Sequence, residues 1–357
     1  MMGKDKVIIV ILAVAIAVVA AALVMTTSSD KTPTGPDQPS GPDDPGKPVY
    51  PEGISFDENT GELTSTGAVT WNITDLLVAY ADRTTTTIEG DKVPLSTGLY
   101  SVKVGDDTFN VTVPGTKENT LSWKYYYEGE YHDVSVTYYI DISELSDITL
   151  KNREWNKTTH TFNYLPEIVN VNETVKGIEA QLSAVYVQLG GLMGDRQNYA
   201  DFLVSFAQLG IKYPTRMGPE NSTDYEIWGA DEYWANTLET LYFGIGDCED
   251  SAAVACALFK AAGFEAAMVG VPGHVTAGVS LDFREVDMEE FKKYNSLYNS
   301  FKVAEGTSAV DTTDPTIYYG VDTTKKQVPV GYMLKGSVDS LGKPTLIWGM
   351  AGFYPVA

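Results

Sequence analysis

Two cysteines and three histidines in 357 residues leave little material for several kinds of chemistry. Two thiols cannot build a disulfide scaffold, a four-thiolate zinc site or an iron–sulfur centre. His132, His160 and His274 are equally thin stock for a histidine-ligated metal. Positive charge is scarce too: 25 Lys and Arg stand against 48 Asp and Glu, a net charge of −23. So acidic a chain repels polyanions, which argues against nucleic acid as the main partner. What remains is ordinary globular stock, 43% hydrophobic and 11% aromatic. At roughly 100–200 residues per domain it suffices for about two folded units.

The N-terminus sets an address. After a short tail, 1–6, with Lys4 and Lys6, Val7 to Met25 is an unbroken apolar run of 19 residues. As a helix rising about 1.5 Å per residue, it nearly crosses a hydrocarbon core of roughly 30 Å. Positive charge precedes it and a polar, then acidic, flank follows. The positive-inside bias therefore puts the tail in the cytoplasm and the C-terminal domains outside, as a single-pass cell-membrane protein. A cleaved signal peptide is the competing reading, with Ala20-Ala21-Ala22 as its small-residue site. The run exceeds the roughly 7–15 residues of a signal core, which favours an uncleaved anchor.

Residues 26–52 follow as a linker, with prolines at 33, 36, 39, 42, 45, 48 and 51. One proline every third residue matches the polyproline II period and predicts an extended spacer. Sequons at Asn72, Asn110, Asn156, Asn172 and Asn221 all lie beyond the anchor and suit an exported glycoprotein.

Periodicity divides the rest. Residues 53–116 alternate and are punctuated by Gly and Asp, which predicts a small all-β domain of sandwich type. Its clearest signal is a hairpin, Leu99–Val104 with Thr108–Val113. Asp57-Glu58-Asn59-Thr60-Gly61 superficially resembles a calcium loop, but the glycine comes one place early and no closing glutamate is spaced for it, so a turn is the better reading. The second unit spans 117–357. Its β-rich entry, 121–142, carries Trp123, Tyr125, Tyr126, Tyr127, Tyr131, Tyr138 and Tyr139. That density suits either a carbohydrate platform or strands packing on a neighbour, and packing is the commoner cause. Helical spacing then runs from Thr174 to Leu189 and from Arg196 to Leu209.

One constellation carries chemistry. In Gly244-Ile245-Gly246-Asp247-Cys248-Glu249-Asp250, Asp247 is a helix N-cap and a small-residue helix runs on to Gly263. Cys248 therefore sits in a first helical turn, where the dipole favours thiolate. Glu249 and Asp250 oppose that, so the sulfur needs an imidazole partner. Phe264–Val271 predicts a strand, Pro272-Gly273 a turn, and His274 heads the next strand. A histidine there is placed to act as general base. Asp322, in Tyr318-Tyr319-Gly320-Val321-Asp322-Thr323-Thr324, is a candidate to orient the imidazole, and Asp311 in the near-copy Val310-Asp311-Thr312-Thr313 is another. Cys256 lies eight residues along the same helix from Cys248, too far for a disulfide, and is expected to be a core residue.

The stretch EYWANTLETLYFGIGDCEDSAAVACALFKAAGFEAAMVGVPGHVTAGV, residues 232–279, resembles the transglutaminase-like superfamily, most of all its exported archaeal and bacterial versions. The resemblance extends less specifically from about Leu121 to the C-terminus. It implies an α+β, papain-like core of helices on an antiparallel sheet. It maps Cys248 to the nucleophile, His274 to the base and Asp322, through its Tyr-Tyr-x-x-Asp-Thr-Thr context, to the orienting carboxylate. It also implies a thiol enzyme acting on amide bonds of a protein or peptide substrate of the cell envelope, without cofactor or metal. A cysteine peptidase or amidase hydrolase is favoured over a crosslinker. The rival from another class is a non-catalytic surface scaffold. Three features depart from the family pattern. Val275 and Thr276 follow the histidine where an aromatic is usual, and the gap from His274 to Asp322 is a long 48 residues with an acidic helical insert expected at 286–300. The third is the second oxyanion donor, which is unassigned beyond the candidates Tyr233 and Trp234.

Overall fold

A computed structural model describes residues 49–215, 218, 222–293, 295, 301–334 and 351–357. The expected tail, the anchor and most of the linker lie outside them, as do Asn221 and residues 296–300. Among the described residues no helix is long and apolar enough to cross a membrane. Pro48–Ala357 forms one compact unit of mixed α and β structure with antiparallel sheets.

Five strands come first: β1 (Ile54–Asp57), β2 (Glu62–Asp75), β3 (Thr85–Pro94), β4 (Gly98–Val104) and β5 (Asp107–Val113). They make one antiparallel sheet around β2, which pairs with β1, β3 and β4, while β5 extends from β4. The β4–β5 hairpin is as the alternation predicts. The sandwich is not. β2 is 14 residues long with a register shift between Thr64 and Val69, so it bends and serves both halves of a single sheet. That sheet encloses its own core of Leu63, Trp71, Val93, Val102 and Val111. The segment resembling a calcium loop is the β1–β2 turn, in which Asp57 Oδ1 accepts from the Asn59 N–H at 2.9 Å.

β6 (Thr116–Tyr127) and β7 (Glu130–Asp141) form a long hairpin. Glu128 and Gly129 close it at φ 48° and 90°, the paired left-handed geometry of a type I′ turn. Alternation buries Trp123, Tyr125, Val134, Val136, Tyr138 and Ile140 and leaves Tyr131 and Tyr139 exposed. The aromatic face is therefore packing: Trp123 meets Phe206 edge-on and donates to Ser205 Oγ at 3.2 Å, and Tyr125 meets Phe202.

Helices cover this hairpin. α1 (Ile142–Trp155) starts where Asp141 Oδ1 accepts from the N–H groups of Ser143 and Glu144. Sequence periodicity does not show it, because its buried face, Ile142, Leu145, Ser146 and Thr149, is half polar. α2 (Glu173–Gln188) buries Val175, Ile178, Leu182 and Val185, as its spacing predicts. α3 (Arg196–Ser205) gives way to one wider π turn over Phe206–Gly210, so the second predicted helix is really two pieces. α4 (Thr237–Phe243) leads to α5 (Cys248–Ala261). Ala252, Ala253, Ala255, Cys256 and Ala257 of α5 are fully buried. These small side chains let α5 lie in contact with α2, α3 and α4 and with two strands, β8 (Ala266–Val271) and β9 (His274–Val279).

A second five-stranded antiparallel sheet runs β11 (Glu305–Gly306), β12 (Tyr318–Val321), β9, β8 and β14 (Gly352–Pro355). Beside it β10 (Phe301–Val303) pairs with β13 (Tyr332–Leu334). Of the acidic insert expected at 286–300, only Met288–Phe291 (α6) is helical among the described residues.

Leu182 is fully buried in the main core. Leu182→Ala is expected to destabilise the protein by about 2–5 kcal/mol, measured as a lower midpoint in urea with an unchanged slope.

Candidate active site

The approach to Cys248 is built from backbone. α4 ends at Gly244 in the left-handed conformation, φ 63°. The chain then runs beside Lys212, whose N–H donates to Gly244 O at 2.9 Å and whose carbonyl accepts from the Gly246 N–H at 3.0 Å. A side chain at Gly246 would bring its Cβ to 2.6 Å from Asp250 Cβ, so only glycine fits. Asp247 caps α5, and Asp250 Oδ1 accepts from the Ala235 N–H at 2.9 Å. Cys248 is left half-buried at the first position of the helix.

β9 lies against that helix, and its first residue is His274. His274 Nε2 is 3.5 Å from Asp322 Oδ1, with both side chains largely buried. The Val275 N–H, next along β9, points at the Cys248 sulfur. Asp322 follows β12 directly, and β12 pairs with β9 through Val321–Ala277, which explains how residues 48 positions apart still have their side chains together. Asp322 Oδ1 also accepts from Thr324 N–H at 3.0 Å and Thr324 Oγ1 at 2.9 Å. Burial would raise its pKa, but the His274 imidazole and the Thr324 donors outweigh burial and hold the carboxyl below its ordinary range. Asp311 sits elsewhere, in an exposed turn, accepting from Thr313. The carboxylate that faces His274 is that of Asp322.

Two residues hold this arrangement that sequence reasoning missed. Gln208, in the π turn, donates to Asp322 O at 3.0 Å and Val328 O at 2.9 Å. Thr276 donates its hydroxyl to Val321 O and accepts from the Thr323 N–H. In the sequence Gln208 lies inside the second predicted helix with no sign of its own, and Thr276 stands out only as a residue following the histidine where an aromatic is usual. Neither oxyanion candidate is free: the Tyr233 hydroxyl donates to Glu239 Oε1 at 3.0 Å and the Trp234 indole to Glu232 Oε1 at 2.8 Å. Tyr213 is better placed. It follows Lys212 alongside Gly246, is 45% exposed, and has Cys248, Asp247 and Glu249 among its electrostatic neighbours.

Cys256 is a core residue: fully buried, its thiol donates to Ala267 O at 3.2 Å, and burial lifts its pKa to about 12. Both cysteines are free thiols. His160 stacks on Trp155 at 3.5 Å, a structural role.

The electrostatics around Cys248 are dominated by acid. Asp224, Asp247, Glu249 and Asp250 are all at least 94% buried, with Glu232 beside them at the surface. Cys248 donates to Glu249 Oε2 at 2.9 Å. Burial, then the charges of Glu249 and Asp247, push the thiol well above its ordinary pKa, and the Val275 N–H compensates only in part. Glu249 and Asp250 are themselves pushed well up by burial and then by the charge of Asp247. Burial and the charge of Asp247 take Asp224 to about 9. The resting sulfur is thus a protonated thiol.

No protein-family model, no curated protein and no solved structure matches this chain.

Asp224 holds a proton in the folded protein, between its ordinary pKa near 3.8 and about 9, that the unfolded chain has released. Folding stability therefore falls as pH rises through that window. Asp224→Asn is neutral throughout. Thermal unfolding from pH 4 to 9 is expected to show it melting about 2 °C or more above wild type at pH 8, with the gap closing towards pH 4.

Proposed function

We propose that this protein is a membrane-anchored, extracytoplasmic thiol enzyme of transglutaminase-like, papain-like fold, which cleaves amide bonds in peptides or proteins of the cell envelope. The observation that carries the reading is the His274–Asp322 pair at the head of β9, beside the helix-start thiol of Cys248. A packing role explains neither a free, half-buried cysteine at a helix start nor a buried imidazole–carboxylate pair next to it.

With Nε2 turned to Asp322, Nδ1 is the ring nitrogen left to serve as base. Because the resting sulfur is a thiol, its proton passes to His274 as sulfur attacks the amide carbonyl, rather than beforehand. The tetrahedral oxyanion is held by the Cys248 backbone N–H and, in this reading, by the Tyr213 hydroxyl. Collapse breaks the C–N bond, and the imidazolium returns its proton to the departing amine. Water, deprotonated by His274, then releases the acid from the thioester and regenerates the thiol. An amine in place of water would make a crosslink, and no feature of the site is built for an amine over water.

One observation favours the rival scaffold reading: the thiol is bonded to Glu249 and held protonated. An inert structural cysteine would look the same in isolation. The paired imidazole and carboxylate are what a scaffold has no use for.

The anchor, the spacer and the sequons support an exported location. Of those sequons, the Asn156 amide donates to Asn152 O and Trp234 O and accepts from Trp234 N–H. Asn172 caps α2 and donates to Glu144. Among the described sequon asparagines Asn110, on β5, is the exposed one and is the expected glycan acceptor.

The test is reaction of the reduced full chain in detergent with a thiol-directed acylating probe across pH 4 to 9. Wild type is expected to label Cys248 faster than a free thiol of pKa near 8.5, with Cys248→Ala unlabelled there. His274→Ala should be slower by about 10²–10⁴ in its acylation rate, and Tyr213→Phe by about 10². Labelling no faster than a free thiol and indifferent to His274 would establish the scaffold reading instead.

A further inference from the structure

The carboxylates beside Cys248 pose a problem of their own, independent of whether the thiol reacts. We propose that Asp224, Glu232, Asp247 and Glu249 form a binding site for a hard divalent cation of calcium size. This departs from the sequence expectation of no metal, because the ligands come from two separate stretches of chain, 224–232 and 247–249.

The geometry is close. The carboxylate oxygens of Asp224, Glu232 and Glu249 lie within 4.8 Å of one another, and so do those of Asp224, Asp247 and Asp250. Each of the four proposed ligands spends one oxygen on a bond within the protein. Asp224 Oδ2 accepts from the Tyr233 N–H at 2.8 Å, and Asp247 Oδ2 from Thr223 Oγ1 at 2.6 Å. Glu232 Oε1 accepts from the Trp234 indole, and Glu249 Oε2 from the Cys248 thiol. Asp247 Oδ1 and Glu249 Oε1 are then left buried with no hydrogen-bond partner, on residues only 6% and 3% exposed. Asp250 has committed both oxygens, to the Ala235 and Asp247 N–H groups, and so braces the group from behind. Among the described residues, no Lys, Arg or His makes an ion pair with any of the five.

Buried unpaired acceptors and uncompensated buried charge are each costly, by several kcal/mol per ion even after relaxation. Two things relieve that cost: shared protons or a cation. Carboxylates clustered in overlapping threes, two of them with an orphaned buried oxygen, suit a cation that takes oxygen ligands in irregular geometry, with water completing the shell. Calcium, with about 6–8 oxygen ligands and tolerant angles, fits better than a small ion that demands an octahedron. Glu232, at the surface, marks the side of entry.

The experiment uses the full chain in detergent, stripped with chelator, in four forms: wild type, Asp224→Asn, Glu249→Gln and Asp311→Asn. Melting temperature is read against CaCl2 and against KCl of equal ionic strength, and terbium luminescence sensitised by nearby aromatic residues such as Trp234 reports direct occupancy. Calcium is expected to raise the wild-type melting temperature by about 5 °C when saturating, with no effect of KCl. Affinity should fall at least about tenfold in Asp224→Asn and Glu249→Gln and stay unchanged in Asp311→Asn, which removes an exposed carboxylate elsewhere. Asp224→Asn and Glu249→Gln both remove repulsion, so without calcium they should melt at or above wild type, and a lost response is then not a lost fold. No calcium-specific shift in wild type would overturn the site and leave the carboxylates as shared protons. An undiminished shift in both Asp224→Asn and Glu249→Gln, or a lost one in Asp311→Asn, would overturn it as well. None of these outcomes depends on catalysis, so they separate this proposal from the thiol enzyme.

Discussion

The close approach of α5 to β9 is the contact on which the core and the candidate site both depend. It is possible because the middle of α5 is alanine, with one small thiol among them. A leucine in place of Ala252 or Ala255 would hold helix and strand apart and overpack a core already filled by Phe202, Phe206 and Phe259. The first residue of that helix and the first residue of that strand are Cys248 and His274. Packing that a protein needs for stability thus also fixes the separation of a thiol and an imidazole, with the Val275 N–H facing the sulfur.

That contact carries an electrostatic cost. The helix begins with Asp247, Glu249 and Asp250, and Asp224 arrives from another segment to join them in the interior. Buried like charges would be expected only at a place with some reason to tolerate them. The thiol shares this environment, so its resting protonation follows from its neighbours rather than from the helix dipole, which on its own would favour the opposite. Reactivity here would come from the imidazole at the moment of attack, or from whatever neutralises the acids.

Much of this was legible in the chain. The hairpin of β4 and β5, the amphipathic α2, the capped small-residue helix and the strand headed by histidine all follow from spacing and cap chemistry local to a few residues. What escaped reading depends on distant partners. α1 hides because its inner face includes Ser146 and Thr149, whose burial is set by the hairpin and not by their own polarity. The small β-domain looked like a sandwich because a strand's count and alternation do not reveal the register shift between Thr64 and Val69. The choice between Asp322 and Asp311 was open because the same tetrapeptide, Val-Asp-Thr-Thr, carries both, and only strand pairing separates them. Asp224 and Tyr213 gave no signal at all: each matters through a contact with residues more than twenty positions away.

The pairing of β9 with β12 has a consequence for how this protein can vary. His274 and Asp322 ride on neighbouring strands of one sheet, and Gln208 and Thr276 clamp the far end by its backbone carbonyls. Between those strands the chain leaves the sheet and rejoins it at β11, which pairs with β12 and must stay as it is. The exposed turn at residues 310–313 is different: neither the β9–β12 register nor the clamps draw on it, so its side chains can change without moving either partner. That turn is therefore where new recognition could be grafted while the chemistry beneath stays fixed.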